Sequence, residues 1–356
     1  MSLTIDTPFE WDIGTAYDLF VSLSVLHNPE KFGVRGSWAA GVRSRLPQPE
    51  RELLQKVVDF MWPLHFVHAL SAPKDSATAL RTIESIQPKD RLYALNPQVP
   101  ENILEVWHGV AERGSWNEAE LKQMMAEMKE GEDVKGTAVS IRKAAGSILD
   151  LWAEVEAIGQ GLLSALNCYF DSFFAEEEIR IRPILKQALV RAQEMSVASP
   201  LPQLLEELSQ GVRLEKDWGH TSYVLAPSFW GTPLLLFGQI SQEKGIVLFG
   251  ARPSDTSLIP GDVVPDVLYQ ALKAMADPTR LRILRYLNEQ SRTPAELARL
   301  LRLRAPTVIH HLDALRLARL VIITLEPGGK RYAIRPGAVE NTCSLLQSFM
   351  SDPGIS

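Results

Sequence analysis

The sequence contains few cysteines and no long hydrophobic run, and both absences exclude classes of protein. Cys168 and Cys343 are its two cysteines among 356 residues, so it has no disulfide framework and fits a reducing compartment. Apolar stretches such as 148–166 are interrupted by acidic residues, which is not typical of transmembrane helices. No basic segment followed by an apolar one opens the chain, so we expect no signal peptide and a cytoplasmic protein.

Sequence motifs of common enzyme classes are also missing. There is no G-x-G-x-x-G after a predicted strand, no Walker loop, no G-x-S-x-G elbow and no H-E-x-x-H helix. His65 and His68 have a spacing that suits a metal ion, but their apolar neighbours favour packing in a core. We therefore predict a protein that is not an enzyme and that has no cofactor and no metal. The alternative, an enzyme in residues 1–255 under DNA-linked control, lacks a convergent set of polar residues.

Charge is distributed unevenly along the chain. The net charge is −6, which by itself argues against binding to nucleic acid. Residues 263–340, however, contain 13 basic and 7 acidic residues, a net charge of +6, so the remainder carries −12. Such asymmetry is typical of a module that binds a polyanion beside another domain.

The hydrophobic pattern of the first 255 residues predicts helices followed by a short sheet. Apolar residues recur at helical spacing through most of residues 8–210. Three short apolar segments, at 221–226, 233–237 and 245–250, then predict antiparallel strands. Within the long helical run 137–198, we expect irregularities at Gly159, Gly161 and Pro183. The predicted fold is mainly α with a small β part: an α+β domain over residues 1–255, then a linker at 256–263.

Residues 264–350 carry the start signals of closely spaced helices. Asp277-Pro278 and Thr293-Pro294-Ala295-Glu296 each place a capping residue before proline, and the second also forms a capping box. A further helix is predicted to begin near Ala305, which gives a helix-turn-helix. Two strands joined by 326–330, with two glycines in the turn, predict a hairpin or wing. The last predicted helix, 337–350, is apolar on one side. We expect this side either to pair with a partner chain or to pack on the chain's own N-terminal domain.

These segments resemble the ArsR-type (arsenic-repressor-type) winged helix-turn-helix regulators. The resemblance rests on the segments 277–284, 295–298 and 307–312, followed by Leu315 and by 318–321. It implies a homodimer that binds a near-palindromic operator and usually represses transcription. The chain is accordingly predicted to be a DNA-binding transcriptional regulator and repressor. Residues 1–255 would then be a sensing or dimerisation domain, open to control by a small-molecule effector.

The predicted DNA contacts lie at the start of the recognition helix and on the wing. Arginine and lysine side chains would bind phosphates, and the N-terminal end of the helix would enter the major groove. The predicted DNA-binding residues are Arg302, Arg304, Ala305, Pro306, Thr307, Ile309, His310, Arg316, Lys330 and Arg331.

The chain departs from the family pattern at three places. Ala305, Pro306 and Ile309 stand where small polar residues are usual, and they cannot hydrogen-bond a base edge. Arg319 replaces the usual glycine after the recognition helix, which costs about 1 kcal/mol if the backbone there is left-handed. The cysteine-rich metal motif of metal-sensing members is absent. The first departure leaves an alternative open: the winged helix serves protein interaction or dimerisation without sequence-specific DNA binding.

Overall fold

The computed structural model describes residues 7–96, 99–130, 138–209, 211–214, 219–254, 256–259, 264–326 and 329–351. The fold is 65% helical with small sheets, which confirms the predicted mainly-α class. The chain forms two compact units, one of Met1–Gly41 with Glu177–Ser356 and one of Val42–Glu176. The predicted division into a domain of residues 1–255, a linker at 256–263 and a DNA-binding domain of residues 264–350 is based on function. It stays a prediction.

The helices and strands follow one another along the described parts of the chain. The helices are α1 (Thr15–His27), α2 (Gly36–Arg43), α3 (Gln48–Val57), α4 (Leu64–Ala69), α5 (Ser76–Ser85), α6 (Pro88–Leu95), α7 (Glu101–Arg113), α8 (Glu118–Glu130), α9 (Ala138–Ala153), α10 (Val155–Tyr169), α11 (Ala175–Ala198), α12 (Leu201–Leu208), α13 (Asp266–Met275), α14 (Pro278–Glu289), α15 (Pro294–Leu301), α16 (Ala305–Leu317) and α17 (Ala338–Ser351). The strands are β1 (Phe9–Trp11), β2 (Val212–Leu214), β3 (Ser222–Ser228), β4 (Leu236–Gln239), β5 (Lys244–Gly250), β6 (Val321–Glu326) and β7 (Gly329–Ile334). A 3₁₀ turn covers Pro29–Phe32 and a π-helical turn covers Phe170–Phe174.

The unit Val42–Glu176 is built around α10, which packs against α3, α5 and α6. Gly159 lies inside α10, and a Cβ atom there would come within 1.8 Å of the Pro88 carbonyl oxygen. The glycine therefore permits close helix packing, and Gly161 lies in the same helix. The prediction that these glycines interrupt the run is wrong, because the breaks fall at Glu154 and at the π-helical turn.

Pro183 also lies inside a continuous helix, α11, so the prediction of an irregularity there is wrong as well. Proline removes one backbone donor, but α11 runs on through it from Ala175 to Ala198. His65 is half-buried, and burial lowers the pKa of its ring. Among the residues described, no group of three or more His, Cys, Asp or Glu side chains is placed to hold a metal ion.

The unit Met1–Gly41 with Glu177–Ser356 contains a four-stranded sheet in the order β1-β3-β5-β4. Strand β3 pairs in parallel with both β1 and β5, and only β4 runs antiparallel to its neighbour β5. The prediction of an antiparallel sheet is therefore wrong in this detail. The reason is the strand order. Strand β5 lies between β3 and β4 and runs parallel to β3, and the N-terminal β1 pairs in parallel with the other edge of β3. Strands β3 and β5 are buried along nearly their whole length, as interior parallel strands are.

The end of β3 is held by one buried carboxylate. Asp18 of α1 accepts hydrogen bonds from the Ser228 hydroxyl at 2.7 Å, from the Phe229 amide at 3.0 Å and from the Trp230 amide at 2.9 Å. These contacts turn the chain out of β3 and fix α1 against the sheet. Burial raises the pKa of Asp18 to about 6 against the opposing effect of these hydrogen bonds.

The C-terminal module packs its own apolar core in the same unit. Buried side chains of α14, α15 and α16, among them Ile283, Leu297 and Leu312, meet residues of β6 and β7. The wing sheet has three strands in the order β2-β6-β7. Strand β2, which follows α12, pairs in parallel with β6, and the Ile323 amide donates to the Gly211 carbonyl at 2.9 Å. The wing is therefore completed by a strand from a distant part of the chain.

Candidate nucleic-acid interface

The first helix of the motif, α15, begins at a complete capping box. The Glu296 amide donates to the Thr293 hydroxyl at 3.3 Å, and the Thr293 amide donates to the Glu296 carboxylate at 2.7 Å. These bonds, together with the coulombic effect of Arg331 and Arg292, lower the pKa of Glu296. Two orphan backbone donors are thereby satisfied, and the direction of α15 is fixed.

A tight turn links α15 to the recognition helix α16. Arg302 adopts a left-handed conformation with φ of 57°, and the Leu303 amide donates back to the Ala298 carbonyl at 3.0 Å. This 6→1 hydrogen bond is that of a Schellman motif, a position that favours glycine. The arginine at this turn is exposed.

The N-terminal end of α16 is open to solvent. Arg304 precedes the helix in an extended conformation, and no side chain caps the first turn. The backbone donors of that turn and the helix dipole therefore face outward, an arrangement that attracts anions. At this end of the helix, the exposed predicted contacts are Arg302, Arg304, Ala305, Pro306, Thr307 and His310, whereas Ile309 is half-buried.

The predicted contact Arg316 and the neighbouring His311 are less accessible. Arg316, in the last turn of α16, is half-buried, and its Nε atom is buried without a hydrogen-bond partner among the described residues. His311, the neighbour of His310, is also half-buried, and burial lowers the pKa of its ring. Its side chain lies near Asp277, which caps α14 by accepting from the Arg280 amide at 2.9 Å. His310 thus faces solvent, while His311 lies within the motif.

Lys330 and Arg331 of the wing differ in accessibility and contacts. Lys330 is exposed and pairs in register with Leu325, close to the turn. Arg331 is half-buried and contacts the carboxylates of Glu296 at 3.7 Å and Glu326 at 3.3 Å. Its Nη1 also donates to the Ser291 carbonyl at 3.2 Å. Arg331 therefore anchors the wing to the start of α15, a role that sequence reasoning did not identify because it depends on contacts distant in sequence.

A short bridge strengthens that anchor. The Arg292 amide donates to the Tyr332 carbonyl, and the Tyr332 amide donates to the Arg292 carbonyl, both at 2.8 Å. The loop before α15 is thereby joined to β7. Helix α16 packs against α15 and β6 in the same module, so the two helices and the wing form one body.

Arg319, after the recognition helix, adopts a left-handed conformation with φ of 57°, so the condition for the cost of about 1 kcal/mol is met. The Leu320 amide donates to the Leu315 carbonyl at 3.0 Å, and the Arg319 amide donates to the Arg316 carbonyl at 2.8 Å. These two bonds complete a second Schellman motif with arginine at the position that favours glycine.

Comparisons with known proteins agree with this geometry. A sequence model of the family described as "Bacterial regulatory protein, arsR family" matches residues 277–322. Neither the curated proteins nor the solved structures gave a match to the chain. None of the described helices combines the length and the apolar character needed to cross a bilayer. Residues 277–322 are an ArsR-type helix-turn-helix, the module with which a family of bacterial transcriptional regulators binds DNA.

Proposed function

We propose that the chain is a transcriptional repressor that binds operator DNA as a homodimer and responds to a small-molecule effector. The observation that carries the proposal is the exposed, uncapped start of α16, where Arg302 and Arg304 stand beside the free backbone donors of the first turn. The protein acts by binding rather than by catalysis.

Phosphate binding would supply most of the affinity. The arginines, the amides of the first turn and Lys330 of the wing each suit a phosphate oxygen. Thr307 and His310 are the exposed residues at the start of α16 that have side-chain hydrogen-bonding groups for a base edge. Ala305 and Pro306 suit the methyl group of thymine. The operator should therefore include a thymine opposite the first turn of the helix.

The proposal predicts that DNA affinity falls steeply with salt concentration and that substitutions of the contact residues reduce this dependence. The double variant Arg304→Ala/Lys330→Ala should bind every duplex more weakly, because two phosphate contacts per protomer are removed. The slope of log K against log salt should fall in magnitude by roughly 0.9 per lost contact, or about 3.6 for a dimer. Fluorescence anisotropy with duplexes from a random pool, titrated at several salt concentrations, measures both quantities. Selection from the same pool should enrich a near-palindromic sequence.

The matched control is Lys143→Ala, which removes an exposed lysine of α9 from the other compact unit and should leave the slope unchanged. If the double variant binds as tightly as the parent with the same slope, the contact surface is wrong. If binding is salt-sensitive but no sequence is enriched, repression at a specific operator is wrong.

Homodimerisation is supported by apolar side chains exposed on two neighbouring helices. Tyr269 and Leu272 of α13 are 38% and 39% exposed, and Val339 and Met350 of α17 are 37% and 75% exposed. Because α13 and α17 pack against each other, these residues belong to one part of the module and suit an isologous interface.

Leu272→Glu should therefore convert a dimer into a monomer, since it would place two carboxylates in an apolar interface. Sedimentation velocity of the parent and variant measures this change. Val197→Glu is the control, because Val197 is 89% exposed on α11. A parent that sediments as a monomer, or an equal effect of the two variants, argues against this interface.

A further inference from the structure

A groove in the C-terminal module is lined by two arginines, Arg319 and Arg335. It has a volume of about 540 Å³ and lies between the start of α13, the end of α16 and one side of α17. Arg319 and Arg335 line it together with apolar side chains such as Val267 and Leu345. This volume lies in the range of small-molecule sites. Apolar walls with a few charged groups are also typical of such sites.

Among the described residues, no carboxylate forms a salt bridge with either guanidinium group in this groove. The side chains of Arg319 and Arg335 are half-buried, and neither makes a hydrogen bond or a salt bridge with a residue that the structure describes. Burial lowers the pKa of Arg319 to about 10, and the nearby charges of Arg252 and Arg335 act in the same direction. Partly buried cations normally have a partner, so the two side chains suit an anionic ligand.

The carboxylate that acts on Arg319, that of Asp266, is already engaged. Asp266 forms a salt bridge with Arg252 and accepts from the Leu258 amide at 2.6 Å. Arg252 in turn donates to the Thr232 carbonyl at 3.1 Å. Arg319 is therefore close to one engaged carboxylate and to two further arginines, Arg252 and Arg335.

Arg319 occupies a position whose backbone conformation favours glycine. Its φ of 57° is a conformation that favours glycine. An arginine there strains the backbone, and Arg252 and Arg335 repel it while Asp266 attracts it. A ligand-binding role accounts for the presence of this side chain.

We propose that the groove binds a small organic anion, a carboxylate or a phosphate ester. Its charged group would lie between Arg319 and Arg335, and its apolar part would lie against Val267 and Leu345. Asn341 and Ser348 of α17 line the same groove and would accept or donate hydrogen bonds to polar substituents. The site differs from the effector site expected within residues 1–255, because its lining residues belong to 264–350.

The site is placed to affect DNA binding. Arg319 directly follows the recognition helix, and Val267 lies on α13, which packs against α16. An anion that binds differently to two positions of α16 would change DNA affinity by the same factor as DNA changes anion affinity. This regulatory consequence rests on the proposed function, whereas binding of the anion does not.

The test is calorimetry and thermal unfolding of the full chain with benzoate, glutarate and glycerol 3-phosphate, at an ionic strength held constant with sodium chloride. We expect saturable binding of at least one probe and a rise in Tm beyond that given by chloride. Arg319→Gly and Arg335→Gln should weaken binding about tenfold or more, the factor expected for a hydrogen bond to a charged group.

Arg319→Gly separates loss of the site from loss of the fold. Without ligand, its Tm should equal or exceed that of the parent, because glycine suits the positive φ. The matched control is Arg302→Gly, which makes the same change at the exposed arginine with the same φ. It should keep the response to the anion while weakening binding to DNA.

The outcomes distinguish this inference from the proposed function. Failure of every probe to exceed chloride, or an undiminished response in Arg319→Gly, overturns the anion site even if the chain binds DNA. A change from dimer to monomer in Arg319→Gly also overturns it, because the arginines would then belong to an interface between two copies. Anion binding that the variants abolish supports the site even if the parent fails to bind DNA.

Discussion

Asp18 shows at the scale of one residue how a buried charge is tolerated. Its carboxylate is fully buried and accepts three hydrogen bonds from Ser228, Phe229 and Trp230. These bonds favour the charged form, but burial opposes it more strongly, and the pKa rises from 3.8 to about 6. The residue therefore fixes α1 to the sheet at an electrostatic cost that depends on pH.

The sign of that dependence is testable with Asp18→Asn. Between about pH 4 and pH 6 the folded parent holds a proton that the unfolded chain releases, so its free energy of unfolding falls as pH rises through this window. The variant lacks this contribution. At the acid end it should be less stable by about 1–3 kcal/mol, because its amide group cannot accept from every donor around it.

Urea denaturation across pH 4 to pH 7 measures both effects, and the difference between parent and variant should shrink as pH rises. Asp171→Asn is the control, because Asp171 is exposed and should show little difference at any pH. Parallel curves for the parent and Asp18→Asn would contradict the raised pKa.

Local sequence signals determine where helices of the C-terminal module begin. Asp277 and Thr293 accept from the amides three residues later, at 2.9 Å and 3.3 Å, as their sequence positions predict. Such caps operate within four residues, so they were visible in the sequence. The same holds for the exposed start of α16 and for Lys330, whose positions follow from the local pattern.

Other elements depend on partners far away in the chain and could not be predicted. Strands β1 and β2 have three residues each, too few for a periodic pattern, and each pairs with a strand far along the sequence. Gly159 gave a local signal for a break, but its close contact with Pro88 gives it a packing role. The engaged state of Arg331 likewise arises from Glu296 and Ser291, which precede the wing.

The capping box gives a prediction at the scale of one element. Thr293→Ala should lower the free energy of unfolding by about 1 kcal/mol, because the Glu296 amide loses its acceptor. DNA affinity should fall as well, since α15 positions the turn that leads to α16. Urea denaturation and anisotropy measure the two effects. Ser291→Ala is the control, because it keeps the carbonyl that Arg331 contacts; equal stability of the two variants would argue against the box.

At the scale of the whole molecule, one module of an acidic chain carries a net positive charge. Residues 263–340 carry +6 and the remainder −12, so a polyphosphate is attracted to the module and repelled elsewhere. That module is not structurally independent. Leu325 of β6 packs against the apolar cluster formed by α12 and the four-stranded sheet, and β2 covers the outer edge of β6.

A fragment of residues 264–351 should reveal this dependence. Without β2, the Ile323 amide loses its bond to the Gly211 carbonyl and should exchange hydrogen much faster than in the full chain. The open edge of β6 should also promote association, which light scattering detects. The Leu297 amide, which donates to Thr293 within the fragment, is the internal control. Equal protection of Ile323 in a monomeric fragment would contradict the role of β2.

The pairing of β2 with β6 has a consequence for protein engineering. A designer who transplants this DNA-binding part onto another sensor would normally cut within the segment before α13 and keep everything after it. Such a graft would leave strand β2, residues 212–214, behind. The smallest transferable piece is therefore discontinuous in sequence, and a successful hybrid must supply a surrogate strand beside β6.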